Sequence, residues 1–430
     1  MSRMLGYELW GEAHTSWSII GSRESDISGK CVALGVTGGV SIYKSIDLAR
    51  LLMRMGAIVR VVMTREATRF VSPMVFEWAT GLPVVRDVLT GRTEHVALAE
   101  HCDAVVVAPA TMDTMAEVAW YRASTPVSAL VQEASGRGRP VLFVPAMHMG
   151  MWERSKKIVE SLREQGMHVL PPVVEEDKAK YPSVEAVAWW VEAILSRGRD
   201  LEGASIVVTA GATWEYIDPV RIITNPSSGL MGYSIAYEAY WRGARVVVVS
   251  GHTCGVPKWG YLEEVGVDSA EDMARVLPRI VEERRPSAVF YAAAVSDYRP
   301  KKRAEAKIPT ETRRYLTLEL EATPKAIEAS VEASPESLHV GFAAETVSST
   351  RELLEKALEK LEKYRLDLVA ANNVAEPGVG FGSQENSLLV VSWRREEWFI
   401  PRMHKRRVAR RLLDIAKKHL ESGRLRPRST

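Results

Sequence analysis

Asparagine and glutamine are scarce in this chain: its 430 residues hold four of the first and three of the second. Scarce amides beside plentiful Glu and Arg are the composition expected of a protein built for heat. Cysteine is scarce too. Cys31, Cys102 and Cys254 stand alone in sequence, with no CxxC pair and no His/Cys cluster at zinc spacing. A disulfide scaffold and a cysteine-based metal site are therefore not expected, and a reducing cytoplasm is the expected location. No apolar run approaches the ~20 residues that cross a bilayer, so no membrane partner is expected. The N-terminal stretch carries Glu8, Glu12, Glu24 and Asp26 without a clean apolar core, which argues against a signal peptide. Charge of either sign is not in excess: 56 basic against 54 acidic residues leave +2. That balance argues against a nucleic-acid partner, since phosphate tracking needs a marked basic surplus.

What is present is ordinary globular material, 46% apolar and 26% charged. The length exceeds what one hydrophobic core organises, so two domains of roughly 200 residues are expected. In the first half, near-continuous apolar runs at residues 31–37, 59–64, 103–111 and 141–147 read as strands buried on both faces. Helical patterns lie between them, such as YKSIDLARLLMRMGA with Gly56 at its C-cap. The rhythm resets after SVEAVAWWVEAILSRG, at a polar hinge near residues 197–203, and a second β-rich series follows. The expectation is an α/β chain with two doubly wound, mostly parallel Rossmann-like domains at 29–197 and 203–418. An N-terminal arm over 1–28 and a flexible basic tail over 419–430 flank them.

In open α/β sheets the strand-to-helix junctions bind ligands. In GVTGGVSIYK, Gly38 and Gly39 lie between a strand and a helix, with hydroxyls at Thr37 and Ser41. Such a turn makes a phosphate site or simply packs tightly. It is not GxGxxG, and Thr64 ends the second strand where a dinucleotide site needs an acid. FMN fits better than a nicotinamide dinucleotide. Pro109, Thr111, Asp113 and Thr114 form the next junction, where Asp113 is equally readable as an N-cap. His95 begins an apolar helical stretch and reads as a surface or capping residue unless it serves as a base. Met147, His148 and Trp152 crowd a strand end, as core filler or as the wall of a flat aromatic ligand.

As an ordered set, GVTGGVSIYK, PATMDT and PAMHMGMW resemble the flavin-containing cysteine decarboxylase family, over about residues 29–197. The resemblance implies a flavodoxin-like domain holding FMN and acting on 4′-phosphopantothenoylcysteine, with His95 as base. FMN would contact Thr37, Gly38, Gly39, Ser41, Thr64, Pro109, Thr111, Asp113 and Thr114; Met147, His148 and Trp152 would face the substrate. This chain has His148 where the family has asparagine, and VVEEDKAKYPS where the bacterial clamp has its cysteine acid.

The second half opens with VTAGATWEYIDPVRIITNPSSGLMGYSIA, in which Asn225, Ser227, Ser228 and Gly229 lead into a helix. Hydroxyls and free N–H groups at a helix N-terminus make an anion cradle. Asp297 follows a buried strand, at a magnesium or ribose position or as a surface cap. This string, with AAAVSDYRP and GFAAET, resembles phosphopantothenate–cysteine ligase, and the fused order is that of the bifunctional coenzyme A biosynthesis proteins. The resemblance implies 4′-phosphopantothenate, L-cysteine and CTP or another nucleoside triphosphate as partners, with Mg²⁺. The carboxylate attacks the α-phosphate, and the cysteine amine then displaces the nucleotide. Asn225 would position the acyl-nucleotide, while Ser227, Ser228 and Gly229 bind substrate. Ala292, Ala293, Asp297, Lys307, Phe342, Lys360 and Lys363 would hold the nucleotide, with Lys307 catalytic and Asp297 at the metal. A homo-oligomer is implied, decarboxylase trimers joined by ligase-domain dimers. Leu230 stands where the ligase has lysine, and the lysine-rich run is cut to Lys307-Ile308-Pro309. Two other readings remain: an FMN-binding regulatory or scaffold subunit, and a two-domain nicotinamide oxidoreductase.

Overall fold

The computed structural model describes residues 14–88, 91–309, 315–423 and 425–428. Of the expected N-terminal arm, residues 1–13 lie outside the described residues, as do 424, 429 and 430 of the expected tail. The chain divides into two compact units, one running to Gly198 and including Trp259–Tyr261, the other Arg199–Lys258 with Leu262 onward.

In the first unit the strands are β1 (Cys31–Val36), β2 (Ile58–Met63), β3 (Ala104–Ala110), β4 (Val141–Pro145), β5 (Met147–His148), β6 (His168–Val169), β7 (Val173–Glu175) and β8 (Lys178–Lys180). The main sheet runs β2-β1-β3-β4-β6, and its neighbours pair in parallel. The order reverses between β1 and β3, which opens a crevice at their C-terminal ends. Helices such as Tyr43–Arg54 and Pro126–Gly136 cover the sheet, which is why β3 is buried at every position. The described part of the arm is folded rather than loose. Trp17 Nε1 donates to the Thr80 carbonyl at 3.0 Å, and Asp26 N donates to Glu192 at 2.9 Å.

One expectation about cysteine is corrected here. Parallel pairing of β1 with β3 brings Cys31 and Cys102 together as a disulfide across 71 residues, with Cα atoms 4.5 Å apart. The pairing is invisible in spacing because it depends on the crossover. In a protein of heat-adapted composition it does not by itself indicate an oxidising compartment. Cys254 is free and exposed.

In the second unit the strands are β9 (Ser205–Ala210), β10 (Glu215–Tyr216), β11 (Ile222–Ile223), β12 (Arg245–Ser250), β13 (Glu263–Gly266), β14 (Ala288–Tyr291), β15 (Tyr298–Pro300), β16 (Leu320–Ala322), β17 (Leu338–Glu345), β18 (Leu368–Asn373), β19 (Glu385–Ser392) and β20 (Glu397–His404). The main sheet is β13-β12-β9-β14-β17-β18-β19-β20, parallel as far as β18 and antiparallel over its last pairs. β20 escapes the apolar-run reading because its burial is patchy and its sequence carries Glu397 and Arg402. The long helix Lys405–Glu421 packs back on the sheet and exceeds the expected boundary at 418.

The tail is corrected as well. Asp367 is fully buried, and Arg428 Nη2 donates to it at 2.6 Å while the Arg426 backbone N–H donates at 2.6 Å. Arg428 also donates to the Pro335 and Ser337 carbonyls. A basic, Pro/Gly-interrupted string looks free because nothing local partners it; its partner is a buried carboxylate more than fifty residues away.

Candidate functional site

In the first unit the crevice is built by hydroxyls tying β1 to β3. Thr37 Oγ1 donates to the Pro109 carbonyl at 2.7 Å and accepts from Thr111 N at 3.1 Å. Ser45, not singled out in sequence, donates from the helix to the Ala108 carbonyl at 2.7 Å. A Cβ on Gly38 would lie 2.6 Å from Glu66 Cβ, so only glycine fits there; Gly39 has room, its nearest neighbour being 3.8 Å away. Ser41 sits half-buried in the turn Val40–Ile42. Thr64, buried, accepts from Ala67 N at 3.2 Å. Thr111 is the N-cap of helix Met112–Ala119 and bonds to Thr114; Asp113 stands exposed in the first turn and is not the cap.

The structure also explains VVEEDKAKYPS. It folds as the hairpin β7–β8, turning through Glu176 and Asp177 at positive φ. β8 pairs with β5, which sets Lys178 opposite His148 and Ala179 opposite Met147. Met147 and Trp152 pack on the core of the unit. Lys44, inside the GVTGGVSIYK string, reaches the same hairpin and donates to the Tyr181 carbonyl at 3.0 Å. Burial, then the nearby Lys180, lowers its pKa. His95 is half-buried near the start of helix Glu94–His101. No hydrogen bond among the described residues ties it to the glycine loop or the hairpin.

In the second unit a cleft of about 350 Å³ opens at the C-terminal ends of β9, β14, β17 and β18, where strand order reverses around β9. Asn225, Ser227, Ser228, Gly229, Ala292, Ala293, Asp297, Phe342 and Lys360 all line it. Gly229, at φ 85°, caps the helix Leu230–Trp241, and a Cβ there would meet Thr253 at 2.7 Å. Ser227 and Ser228 hydroxyls accept from Gly229 N and Leu230 N, each at 3.3 Å, which shapes the turn. Asn225 Nδ2 donates to both the Ala294 and Val295 carbonyls at 3.3 Å, so both amide hydrogens are used and its oxygen is what remains to offer.

Two of the residues expected at the nucleotide do not line the cleft. Lys363 is not among the cleft residues; it lies over the Tyr364 ring, 5.1 Å from its centre. Lys307 is exposed on a loop that Asp218 clasps: Ile308 N donates to Asp218 at 3.2 Å. Burial pulls the Asp218 carboxyl up, but the N–H groups of Val220, Arg221 and Ile308 and the Arg221 guanidinium outweigh it and bring its pKa down to about 2. Three lysines line the cleft instead: Lys325, paired with Asp297, Lys360 and Lys405. Burial lowers the Lys360 pKa against the opposing pull of Glu345 and Asp297. Lys325 and Lys405 carried no local signal, since each is a lone lysine placed by the fold. Among the described residues no group of three His, Cys, Asp or Glu side chains converges as a metal site.

Beneath the cleft, Tyr291 bonds to His339 Nδ1 at 2.7 Å, and His339 Nε2 bonds to the Ser334 carbonyl at 2.8 Å. Because Nε2 faces a carbonyl it carries the proton, and Nδ1 accepts from the tyrosine. Burial brings the His339 pKa down to about 4. The His339 backbone N–H donates to Asp367, so the tail's arginines reach the floor of the cleft through one carboxylate.

The Flavoprotein family matches residues 20–196, and the family described as DNA/pantothenate metabolism flavoprotein C-terminal domain matches residues 201–420. The chain is 39% identical over 408 residues to the coenzyme A biosynthesis bifunctional protein CoaBC of Thermococcus kodakarensis, covering 94% of this chain and 98% of the relative. It is 37% identical over 369 residues to the protein of the same name from Mycobacterium tuberculosis H37Rv, covering 81% and 87%. A crystal structure of the C-terminal domain of a CoaBC protein aligns at 33% identity and TM-score 0.43, over 52% of this chain and 99% of that one. Among the described residues no helix is long and apolar enough to cross a membrane.

Proposed function

The chain belongs to the family of bifunctional coenzyme A biosynthesis proteins, and on that premise we propose which residues carry its two reactions. The second unit is the phosphopantothenate–cysteine ligase, and the first is the phosphopantothenoylcysteine decarboxylase. The observation that carries the residue assignment is the cleft of the second unit, where a helix N-terminus, Asn225 and three lysines face one cavity.

In the ligase, a nucleoside triphosphate such as CTP lies along the cleft with its phosphates toward Ser227, Ser228 and Gly229, where the helix dipole favours negative charge. Lys325 and Lys360 supply the positive charge that Leu230 does not. The 4′-phosphopantothenate carboxylate attacks the α-phosphate and pyrophosphate leaves. The amine of L-cysteine then attacks the acyl carbon and releases the nucleotide. Asn225 latches the 294–295 loop and offers its oxygen to the incoming amine. One carboxylate beside a phosphate site is what Mg²⁺ uses when the triphosphate supplies its other ligands, and Asp297 is that carboxylate.

In the decarboxylase, the glycine turn at the switch point between β1 and β3 would hold FMN: Gly38 packs on Glu66, which fixes the turn, the Thr37 and Thr111 bonds tie it to β3, and Gly39 keeps open space beside its backbone. FMN, when bound, supplies the redox chemistry that loss of the cysteinyl carboxylate needs. His148 and Lys178, opposite each other on β5 and β8, present an imidazole and an ammonium to that carboxylate, and His95 is the base. Exposed Val40, Tyr43, Met74, Trp78 and Trp120 on this unit support association into a homo-oligomer.

One experiment tests both halves. The purified protein is given 4′-phosphopantothenate, L-cysteine, Mg²⁺ and either CTP or ATP, and product masses are followed. The expected outcome is a yellow protein that forms phosphopantothenoylcysteine with pyrophosphate, then its product lighter by CO₂. Absence of ligation with every nucleotide refutes the ligase assignment; a colourless protein that releases no CO₂ refutes the other.

A further inference from the structure

Arg428 makes more bonds than its pairing with Asp367 requires. Its side chain is 3% exposed, and all five guanidinium N–H groups are engaged: one on Asp367, two on the Arg365 carbonyl, and one each on the Pro335 and Ser337 carbonyls. Two of these partnerships lead to the same histidine. Asp367 accepts the His339 backbone N–H at 2.7 Å, and its own N–H donates to the His339 carbonyl at 3.0 Å. Pro335 and Ser337 belong to a turn that the Ser337 N–H closes on the Ser334 carbonyl at 3.1 Å, and that carbonyl also takes the proton of His339 Nε2. One guanidinium therefore fixes His339 from its backbone and from its ring. Burial first, and the Arg428 charge with it, bring the His339 pKa down to about 4 against the Ser334 carbonyl, Asp367 and Glu336. The imidazole is neutral, and its Nδ1 is left to accept from Tyr291.

We propose that Arg428 is a positioning residue of the ligase, acting through Asp367, His339 and Tyr291 on the strand end where the acyl-nucleotide meets the cysteine amine. The inference rests on the reading of this cleft as the ligase site. Tyr291 ends β14 and lines the cleft, and the chain runs on through Ala292 and Ala293 to Val295. That stretch is held at three places: Tyr291 on His339, Ala293 N on Thr209 Oγ1 at 3.0 Å, and the Ala294 and Val295 carbonyls on Asn225. The first of the three is the end of the series of bonds that starts at Arg428. The turn at Ser227 and Ser228 is shaped by its own hydroxyls and draws on none of them. Loosening the Tyr291 end therefore slows the aminolysis that Asn225 serves more than it slows the step at the α-phosphate. A small misplacement suffices, since attack demands close and aligned atoms. Such coupling is carried by contiguous bonded side chains, and its proof is an interaction between substitutions at the two ends.

The test compares the full chain as wild type, Arg428→Gln, Tyr291→Phe and the double variant. Each is given 4′-phosphopantothenate, Mg²⁺ and CTP or ATP until pyrophosphate is released, and then L-cysteine. Quenched samples analysed by mass give the rate at which acyl-nucleotide becomes phosphopantothenoylcysteine, relative to the rate of pyrophosphate release by the same preparation. That ratio does not depend on the fraction of molecules folded, so a tail that only stabilises the unit leaves it at the wild-type value. Each single variant is expected to lower it about tenfold, the scale of one lost buried hydrogen bond, and the double variant to fall no further than the lower of the two. An unchanged ratio in folded Arg428→Gln, or losses that multiply in the double variant, overturns the role of Arg428 and leaves the ligase cleft standing. If thermal melting shows that Arg428→Gln does not fold, Arg428→Lys, with three donors against five, takes its place under the same criteria. Wild type that forms neither acyl-nucleotide nor ligated product overturns the ligase reading of the cleft and this proposal with it.

Discussion

Replacing Asn225 by aspartate separates two ways in which this residue can act. Its Nδ2 donates to the Ala294 and Val295 carbonyls at 3.3 Å each, and a carboxylate cannot donate to either. The variant keeps an acceptor for the incoming amine but loses the latch on the loop that ends β14. Leaving a carbonyl without its donor costs about 1–2 kcal/mol apiece, so the loop loses roughly 2–4 kcal/mol of positioning. At about 1.4 kcal/mol per tenfold, ligation slows by about 30-fold to 1,000-fold. The first step draws on the helix N-terminus and the lysines, so pyrophosphate release continues and acyl-nucleotide accumulates. Quenched reactions analysed by mass, with pyrophosphate followed in parallel, give both numbers from one sample. Ligation by Asn225→Asp at the wild-type rate refutes the latch and leaves Asn225 only its oxygen.

His95→Asn is expected to keep bound flavin, read from the visible spectrum, and to stop CO₂ release from phosphopantothenoylcysteine; undiminished turnover removes His95 from the reaction. His339 makes the second unit acid-sensitive. Its folded pKa, brought down to about 4 by burial, lies below the ordinary value of 6.5, so the unfolded chain takes the proton first. Stability is complete above about pH 6.5 and is lost as pH falls toward 4, by up to about 3 kcal/mol. Urea unfolding in that window should show the slope in wild type and a flatter one in His339→Gln; equal slopes refute it.

Much of the candidate site is legible in sequence because it lies on contiguous loops. Asn225, Ser227, Ser228 and Gly229 follow one another, and local chemistry suffices to read a helix N-terminus there. Ala292, Ala293 and Phe342 are legible because strand ends in a doubly wound sheet converge. Lys325, Asn386 and Lys405 are not: the β15–β16 hairpin and the turn after it place Lys325, while the pairing of β18 to β20 and the turn into the last helix bring Asn386 and Lys405 to the cleft. Lys363 fails for a different reason. It ends the charged helix that carries Lys360, and its ammonium lies over the Tyr364 ring instead of among the residues that line the cavity. The asparagine scarcity takes on structure as well. Asn225, Asn372 and Asn386 line the cleft, while Asn373 bonds to the Val347 backbone beside it.

The anchoring of Arg426 and Arg428 on Asp367 bears on how the protein is made. During synthesis these arginines leave the ribosome after every residue of the cleft. The first unit therefore emerges complete and can fold while the second is still being translated. The second unit waits: until Arg428 emerges, Asp367 stands without its guanidinium partner beneath His339 and Tyr291. An unpaired buried carboxylate is strongly destabilising, so the ligase cleft matures after the first unit. A nascent chain halted before Arg428 would carry a finished flavin crevice and an unfinished ligase.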